Sequence, residues 1–109
     1  VYISSSSALD GNEGRNAYSS TKAAIIAQAK VLSREVGVHN IRVNSVAPGL
    51  TNTDMMKENH KKEIIKDVIS RTSLRRIANP EEIANVVLLL SSDLTSYITG
   101  QVIRVDGGM

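Results

Sequence analysis

The 109-residue chain, 41% hydrophobic, is long enough for a core and has room for at most one small domain. Its 13 basic and 11 acidic residues leave a net charge of +2 with no long run of one sign, so composition gives no case for a nucleic acid or an anionic membrane as partner. Without cysteine, disulfides, thiolate metal ligands and thiol catalysis are excluded, and no apolar run approaches the roughly 18 residues of a membrane span. We expect a cytoplasmic protein without a metal site.

The first third of the chain predicts a strand, a loop and a long helix. Residues 1 to 5 form a candidate strand, and residues 6 to 16 have the glycine- and asparagine-rich composition of a loop. A helix is predicted over residues 17 to 36, because apolar residues recur three and four positions apart. We expect it to end with Gly37 in the left-handed conformation. The apolar stripe continues from Lys22 through Ile25, Ala29, Leu32 and Val36.

The middle of the chain predicts a second strand, a mobile loop and a short helix. Residues 41 to 47 are rich in β-branched side chains, as strands are, and Pro48-Gly49 stops them. Residues 50 to 60 are polar, and we expect an irregular loop there. An amphipathic segment follows, with its apolar side formed by Ile64, Ile65, Val68 and Ile69.

The last third predicts one more helix and one more strand. Asn79-Pro80-Glu81-Glu82 is a strong helix start, with a capping residue, proline at the first helical position and two acids that the helix dipole favours. This helix is predicted to reach about Ser91. A final strand is expected from Gln101 to Val105, closed by Gly107-Gly108.

The order strand, helix, strand, helices, strand predicts an α/β fold with a parallel sheet built from βαβ units. In such sheets ligands bind beyond the carboxyl ends of the strands. Here those ends are Ser4 to Ser7, Ala47 to Thr53 and the terminal glycines. The serine run, the Pro48-Gly49 turn and the terminal glycines are therefore predicted to lie at the same edge of the sheet.

Tyr18 and Lys22 are the candidate chemical pair. Four positions apart on a helix, they share one face and lie about 6 Å apart along its axis. A tyrosine needs a cationic neighbour to act as an acid or base near neutral pH, and Lys22 is such a neighbour. Ser5 or an adjacent serine supplies a hydroxyl that polarises a carbonyl oxygen. Reduction of that carbonyl also requires a hydride source, which implies a reduced cofactor. The spacing alone also suits a partly exposed helical turn whose lysine reaches solvent.

Four sequence blocks resemble the short-chain dehydrogenase/reductase family, in the subgroup of 3-oxoacyl-[acyl-carrier-protein] reductases. Together they span nearly the whole chain, in the family's order and spacing. The blocks are Ile3-Ser4-Ser5 before Gly11-Asn12, Ala17-Tyr18-Ser19-Ser20-Thr21-Lys22-Ala23, Val43-Asn44-Ser45-Val46-Ala47-Pro48-Gly49 with Thr51, Thr53 and Asp54, and Tyr97-Ile98-Thr99-Gly100-Gln101 with Val105-Asp106-Gly107-Gly108.

The resemblance implies that residues 1–109 are the C-terminal half of one Rossmann-like, doubly wound domain, whose N-terminal dinucleotide-binding half is absent. It implies NADP or NAD as cofactor and a small-molecule or acyl-thioester substrate, as in fatty acid biosynthesis. Tyr18 would transfer the proton, Lys22 would make that phenol more acidic while binding the nicotinamide ribose, and Ser5 would orient the carbonyl. Pro48-Gly49 would pack along the nicotinamide, with the Thr51 backbone at the carboxamide and Thr53 near the phosphates.

Several alternatives stay open. The substrate is a 3-oxoacyl thioester on the leading interpretation, with sugar or steroid alcohols behind it. The chain as it stands could instead be a catalytically incompetent fragment that serves only in assembly, since the family commonly forms homo-oligomers through this long helix. A small-residue outer face suited to such packing comprises Ala23, Ala24, Ala27 and Val31. Both histidines, His39 and His60, are expected at the surface, Met55 and Met56 line an entrance or pack under a lid, and Asp106 is expected to be structural.

Overall fold

Three short parallel strands form the sheet in the computed structural model, which describes residues 1–109. The strands are β1 (Tyr2–Ile3), β2 (Ser45–Pro48) and β3 (Val102–Val105), and their order in the sheet is β1-β2-β3. Ser45 is the partner of Tyr2 on one side and of Val102 on the other. The predicted α/β architecture with a parallel sheet is confirmed.

Five helices accompany the sheet. They are α1 (Ser7–Asp10), α2 (Asn16–Val36), α3 (Asp54–Asn59), α4 (Lys62–Arg71) and α5 (Pro80–Ser91), with 3-10 turns at Gly37–His39 and Asp93–Thr95. Both α2 and α5 pack against β2, so Val46 and Ala47 in that central strand are fully buried. None of the helices combines the length and apolar character that crossing a lipid bilayer requires.

Helix α2 confirms the predicted long helix but ends differently. Its stripe faces inward, with Ala29 only 2% exposed, whereas Val31 on the opposite side is 56% exposed. Gly37 has φ of −59°, so the predicted left-handed termination there is wrong. A 3-10 turn extends the chain to Asn40, which takes the left-handed conformation instead at φ of 59°. Asparagine tolerates this region better than most residues, and its N–H bonds the carbonyl of Gly37.

Two segments predicted as loops contain short helices. Within residues 6 to 16, Ser7–Asp10 forms a single turn that Gly11 terminates at φ of 70°. Within residues 50 to 60, Asp54–Asn59 is helical because the Thr53 hydroxyl accepts the Met56 N–H at 3.2 Å and Met56 turns into the interior. Segments this short show no apolar period, so pattern alone did not reveal them.

Helix α5 begins as predicted. The Glu82 carboxylate accepts the backbone N–H of Asn79 at 2.8 Å and forms a two-pronged ion pair with Arg76, both contacts at 2.7 Å. The hydrogen bonds from Arg76 and from the Asn79 backbone lower the pKa of Glu82 to about 2. This network fixes the turn at which α5 starts.

Candidate active site

The carboxyl ends of the three strands meet at one edge, as predicted. Beyond β1, the Ser6 N–H donates to the carbonyl of Pro48 at 2.9 Å, and beyond β2 the Gly49 N–H donates to the carbonyl of Val105 at 2.9 Å. These bonds extend the ladder past the assigned strands. The serine run, the Pro48-Gly49 turn and the terminal glycines are therefore brought side by side.

The four serines of the run are all buried, and the hydroxyls of Ser4, Ser5 and Ser7 have different partners. Ser4 Oγ donates to the carbonyl of Lys22 at 2.8 Å, and Ser7 Oγ accepts the Asn12 amide at 3.1 Å. Ser5 Oγ accepts the Ser7 N–H at 3.2 Å and donates to no group of the chain. Ser5 is thus oriented through its oxygen while its proton is free to bind a ligand.

Tyr18 and Lys22 stand in the first two turns of α2, at this same edge. The Lys22 ammonium donates to the carbonyl of Ile3 at 3.1 Å and lies 5.9 Å from the centroid of the Tyr18 ring. Tyr18 is 44% exposed, whereas Lys22, where the apolar stripe of α2 begins, is half-buried. The ammonium retains two free protons beside an accessible phenol.

A second cation, which sequence reasoning missed, lies at Tyr18. Arg15 Cζ is 5.8 Å from the centroid of the tyrosine ring, within the range of a cation–π contact. Arg15 Nη2 also contacts His60 Nε2 at 2.6 Å. The expectation of a surface position for His60 is wrong, because it is half-buried against Arg15; His39 is exposed as expected.

The segment after β2 offers free backbone donors. Gly49 passes so close to Asp106 that a Cβ at Gly49 would lie 2.8 Å from the Asp106 Cα. Beyond this turn the N–H groups of Leu50 and Thr51 donate to no group of the chain, while the Thr51 hydroxyl donates to the Gly49 carbonyl at 3.1 Å. Unpaired donors at a strand end suit a ligand with amide or hydroxyl oxygens. Thr53 lies one turn further along and caps α3.

Comparison with known proteins identifies the family. The family model described as enoyl-(acyl carrier protein) reductase matches residues 1–109. A solved structure described as a short chain dehydrogenase/reductase family protein superposes with a TM-score of 0.89 at 39% identity, over 97% of this chain and 43% of that one. The chain belongs to the short-chain dehydrogenase/reductase family.

Individual relatives in this family carry several activities. The chain is 51% identical to the 3-oxoacyl-[acyl-carrier-protein] reductase FabG of Chlamydia trachomatis, over 100% of its own length and 44% of that protein. It is 47% identical to a 3alpha-hydroxysteroid dehydrogenase of Mediterraneibacter gnavus, over 83% of its own length and 36% of the relative. It also superposes with a 7 alpha-hydroxysteroid dehydrogenase complexed with NADH and 7-oxo glycochenodeoxycholic acid, with a TM-score of 0.94 and 37% identity over 97% of this chain and 42% of that structure. The chain thus spans less than half the length of these relatives.

In this short-chain dehydrogenase/reductase chain, a buried asparagine links β2 to the turn that leads into β3. Asn44, 2% exposed, donates to the Ile98 carbonyl at 2.8 Å and accepts the Gln101 N–H at 3.0 Å. This joins two of the sequence blocks that carry the family resemblance. The pairing was not evident in the sequence, because Asn44 and Ile98 are far apart along the chain.

Arg104 in β3 forms ion pairs with Asp10, at the end of the helix that begins in the serine run, and with Asp106. Its guanidinium donates to both Asp10 oxygens, at 2.8 and 3.0 Å, and to Asp106 Oδ2 at 2.8 Å. The hydrogen bonds from these carboxylates, Asp10 first, raise the pKa of Arg104 above its ordinary value. Asp106 also accepts the Gly108 N–H at 3.1 Å, in keeping with its expected structural role. No group of three or more histidine and acidic side chains is arranged to hold a metal ion.

Proposed function

We propose that this chain supplies the catalytic residues of an NAD(P)-dependent oxidoreductase that transfers a hydride between a nicotinamide cofactor and a carbonyl or secondary alcohol. The observation that carries the proposal is the free Ser5 hydroxyl at the same strand edge as the exposed Tyr18 phenol and the half-buried Lys22 ammonium. The names of the relatives support it, since they include reductases and dehydrogenases.

The residues present fit one side of such a cofactor. Lys22 has two ammonium protons left after its bond to Ile3, which suits ribose hydroxyls, and the unpaired N–H groups of Leu50 and Thr51 suit a carboxamide. Pro48 and Gly49 form the wall along which the ring would lie, and Thr53 follows toward the phosphates. We further propose that residues 1–109 form the C-terminal half of one domain and that the pyrophosphate loop belongs to the length that the relatives have in excess.

In the proposed mechanism each residue has one task. The nicotinamide, when bound, supplies the hydride that a carbonyl needs for reduction. The Ser5 hydroxyl donates to the carbonyl oxygen and orients the substrate. Tyr18 gives its phenol proton to the same oxygen, and the Lys22 ammonium offsets the negative charge left on the tyrosine. In the direction of oxidation the proton returns to Tyr18.

The finer proposal is reduction of a 3-oxoacyl thioester, which the 51% identity to a FabG protein supports. A hydroxysteroid is the second candidate, because two hydroxysteroid dehydrogenases are among the similar proteins. Comparing kcat/KM for an acetoacetyl thioester and for an oxo-steroid, each with NADPH and NADH, decides between them. A preference for the steroid would contradict the finer proposal and leave the broader one standing.

Tyr18→Phe, made in the protein at its natural full length, tests the proposed role of Tyr18. We expect kcat/KM to fall by roughly 10²- to 10⁴-fold, the contribution of one general acid. Tyr97→Phe is the matched control, because Tyr97 is fully exposed and precedes β3, whereas the site lies beyond the carboxyl ends of the strands; it should leave turnover unchanged. Circular dichroism checks that both variants fold. Normal turnover of Tyr18→Phe would refute the assignment.

The assembly hypothesis rests on a separate observation. The outer face of α2 is apolar and open to solvent at Ala24, Ala27 and Val31, as a homo-oligomer contact would require, although Ala23 is half-buried. Titrating the 109-residue chain by itself with NADH and NADPH, followed by nicotinamide fluorescence, separates this hypothesis from catalysis. We expect weak or no binding, and micromolar affinity would argue against a purely assembling fragment.

A further inference from the structure

The segment of residues 53–71 leaves the sheet edge and returns to it. Its base is closed where Thr51 and Ala78 form an isolated parallel bridge, with the Asn52 N–H bonded to the Ala78 carbonyl at 2.8 Å. The segment holds α3 and α4, whose residues are largely exposed apart from Met56. Met56 is the one buried side chain of α3, so little packing beyond it holds this helix in place.

One hydrogen bond joins this segment to residues 1–50, and it is the contact between His60 and Arg15. Arg15 Nη2 lies 2.6 Å from His60 Nε2, and His60 Nδ1 lies 3.3 Å from the carbonyl of Met56. On its other side, the Arg15 guanidinium stacks on the ring of Tyr18. The end of α3 is therefore connected to the tyrosine through a single arginine.

We propose that Arg15 and His60 form a clasp that positions α3 over Tyr18, so that closure of the substrate site requires neutral His60. This rests on the proposed function. An arginine side chain can only donate, so Nε2 must be the unprotonated nitrogen and Nδ1–H must face the Met56 carbonyl. Only the neutral Nδ1–H tautomer satisfies both contacts.

Protonation of His60 would open the clasp. It would place an N–H against the guanidinium N–H and bring two positive charges together, while no carboxylate contacts His60 to offset them. Arg15, from the loop before α2, is the charged group in contact with the ring, and Tyr18 lies on the other side of that guanidinium. Glu58 and Lys61 are the charged residues nearest to His60 along its own segment. The Asp54 carboxylate is paired with Lys57 at 3.4 Å. Histidine is the side chain that ordinarily titrates between about pH 5 and 8.

The clasp predicts an effect on KM rather than on the chemical step. With His60 protonated or removed, the substrate must order α3 by itself, so KM should rise by about tenfold, the factor for one hydrogen bond from a charged donor that is partly exposed. His60 touches no reacting atom, so kcat should change little. Arg15 is likewise a positioning residue, and removing it should also disturb Tyr18.

The test compares His60→Gln, His60→Leu and His39→Gln in the protein at its natural full length. In the wild type, KM should rise as the pH falls from about 8 to about 5. His60→Gln keeps an acceptor for Arg15 at every pH, so its KM should stay low and flat, whereas His60→Leu should have a high KM throughout. His39→Gln changes the exposed histidine and should retain the wild-type profile. A His60→Gln profile that still rises at low pH, or a His60→Leu variant with normal KM, would overturn the clasp.

A second measurement separates the clasp from the proposed function. Amide hydrogen exchange of residues 54–60, corrected for the intrinsic pH dependence, should show protection at about pH 8 that is lost at about pH 5 in the wild type and absent at both in His60→Leu. This holds whether or not the protein reduces carbonyls. Unchanged protection in His60→Leu would refute the clasp, and protection that follows the prediction in a protein without reductase activity would refute only the proposed function.

Discussion

Removing the Asn44 side chain should destabilise the fold strongly without touching a reacting group. Asn44 lies next to β2, 2% exposed, and its amide makes two hydrogen bonds to the turn that leads into β3. The Ile98 carbonyl and the Gln101 N–H have no other partner in the chain. Asn44→Ala would therefore leave two backbone groups unsatisfied and a void behind the strand.

The expected magnitude follows from those two groups. Each buried polar group left without a partner costs about 1–3 kcal/mol, and water can reach Gln101, which is exposed, so we expect a total of roughly 2–4 kcal/mol. That is a large part of the 5–15 kcal/mol or so that stabilises a typical domain.

Urea unfolding followed by far-ultraviolet circular dichroism measures this loss by linear extrapolation. Asn85→Ala is the matched control, since Asn85 is exposed in the middle of α5 and alanine favours a helix there. The control should change the free energy of unfolding by no more than about 0.5 kcal/mol. If Asn44→Ala costs no more than the control, the inferred link between β2 and the 98–101 turn is not stabilising, and the reasoning is refuted.

Two further predictions concern stability. The pKa of Glu82 is lowered from 4.5 to about 2, chiefly by its hydrogen bond from Arg76, so this ion pair stabilises the fold above pH 4.5 and is lost as the pH falls toward 2. The difference in urea midpoint between the wild type and Glu82→Gln should therefore shrink between these two pH values. A difference that stays constant would contradict the prediction. Gly49→Ala should lower the free energy of unfolding by about 1–3 kcal/mol, because its Cβ would lie 2.8 Å from Asp106. Gly37→Ala is the control and should be neutral or stabilising, since Gly37 has φ of −59° and a Cβ there would meet nothing within 4 Å. Similar effects of the two substitutions on unfolding would refute the close approach of Gly49 to Asp106.

Much of the fold could be predicted because its signals are local. The apolar period of α2 and the Asn-Pro-Glu-Glu start of α5 each act within a few residues, and both helices lie where those signals place them. The strand predicted over residues 41 to 47 is assigned only at Ser45–Pro48, since Val43 and Asn44 bond mainly to the turn before β3. That partner lies more than fifty residues away, beyond the reach of a local pattern.

The residues of the candidate site likewise include some that a local sequence pattern could indicate and others that it could not. Tyr18 and Lys22 could be proposed as a pair from their helical spacing, whereas Ser5 was selected from the serine run only by the family resemblance. Their roles stay predictions. Arg15 and His60 could not be selected, since a lone arginine in a glycine-rich loop and a histidine in a polar segment carry no pattern of their own.

The sequence by itself determined the helical placement of Tyr18 and Lys22, the parallel α/β order and the edge where the strand ends meet, because each follows from periodicity, caps and chain direction. Only the tertiary structure decided that the Ser4 hydroxyl is used in binding the Lys22 carbonyl while the Ser5 hydroxyl donates to no group, that the Tyr18 ring is exposed, and that α3 is fastened to Arg15. These depend on which distant groups satisfy each hydrogen bond. That competition is resolved only when the whole chain has packed.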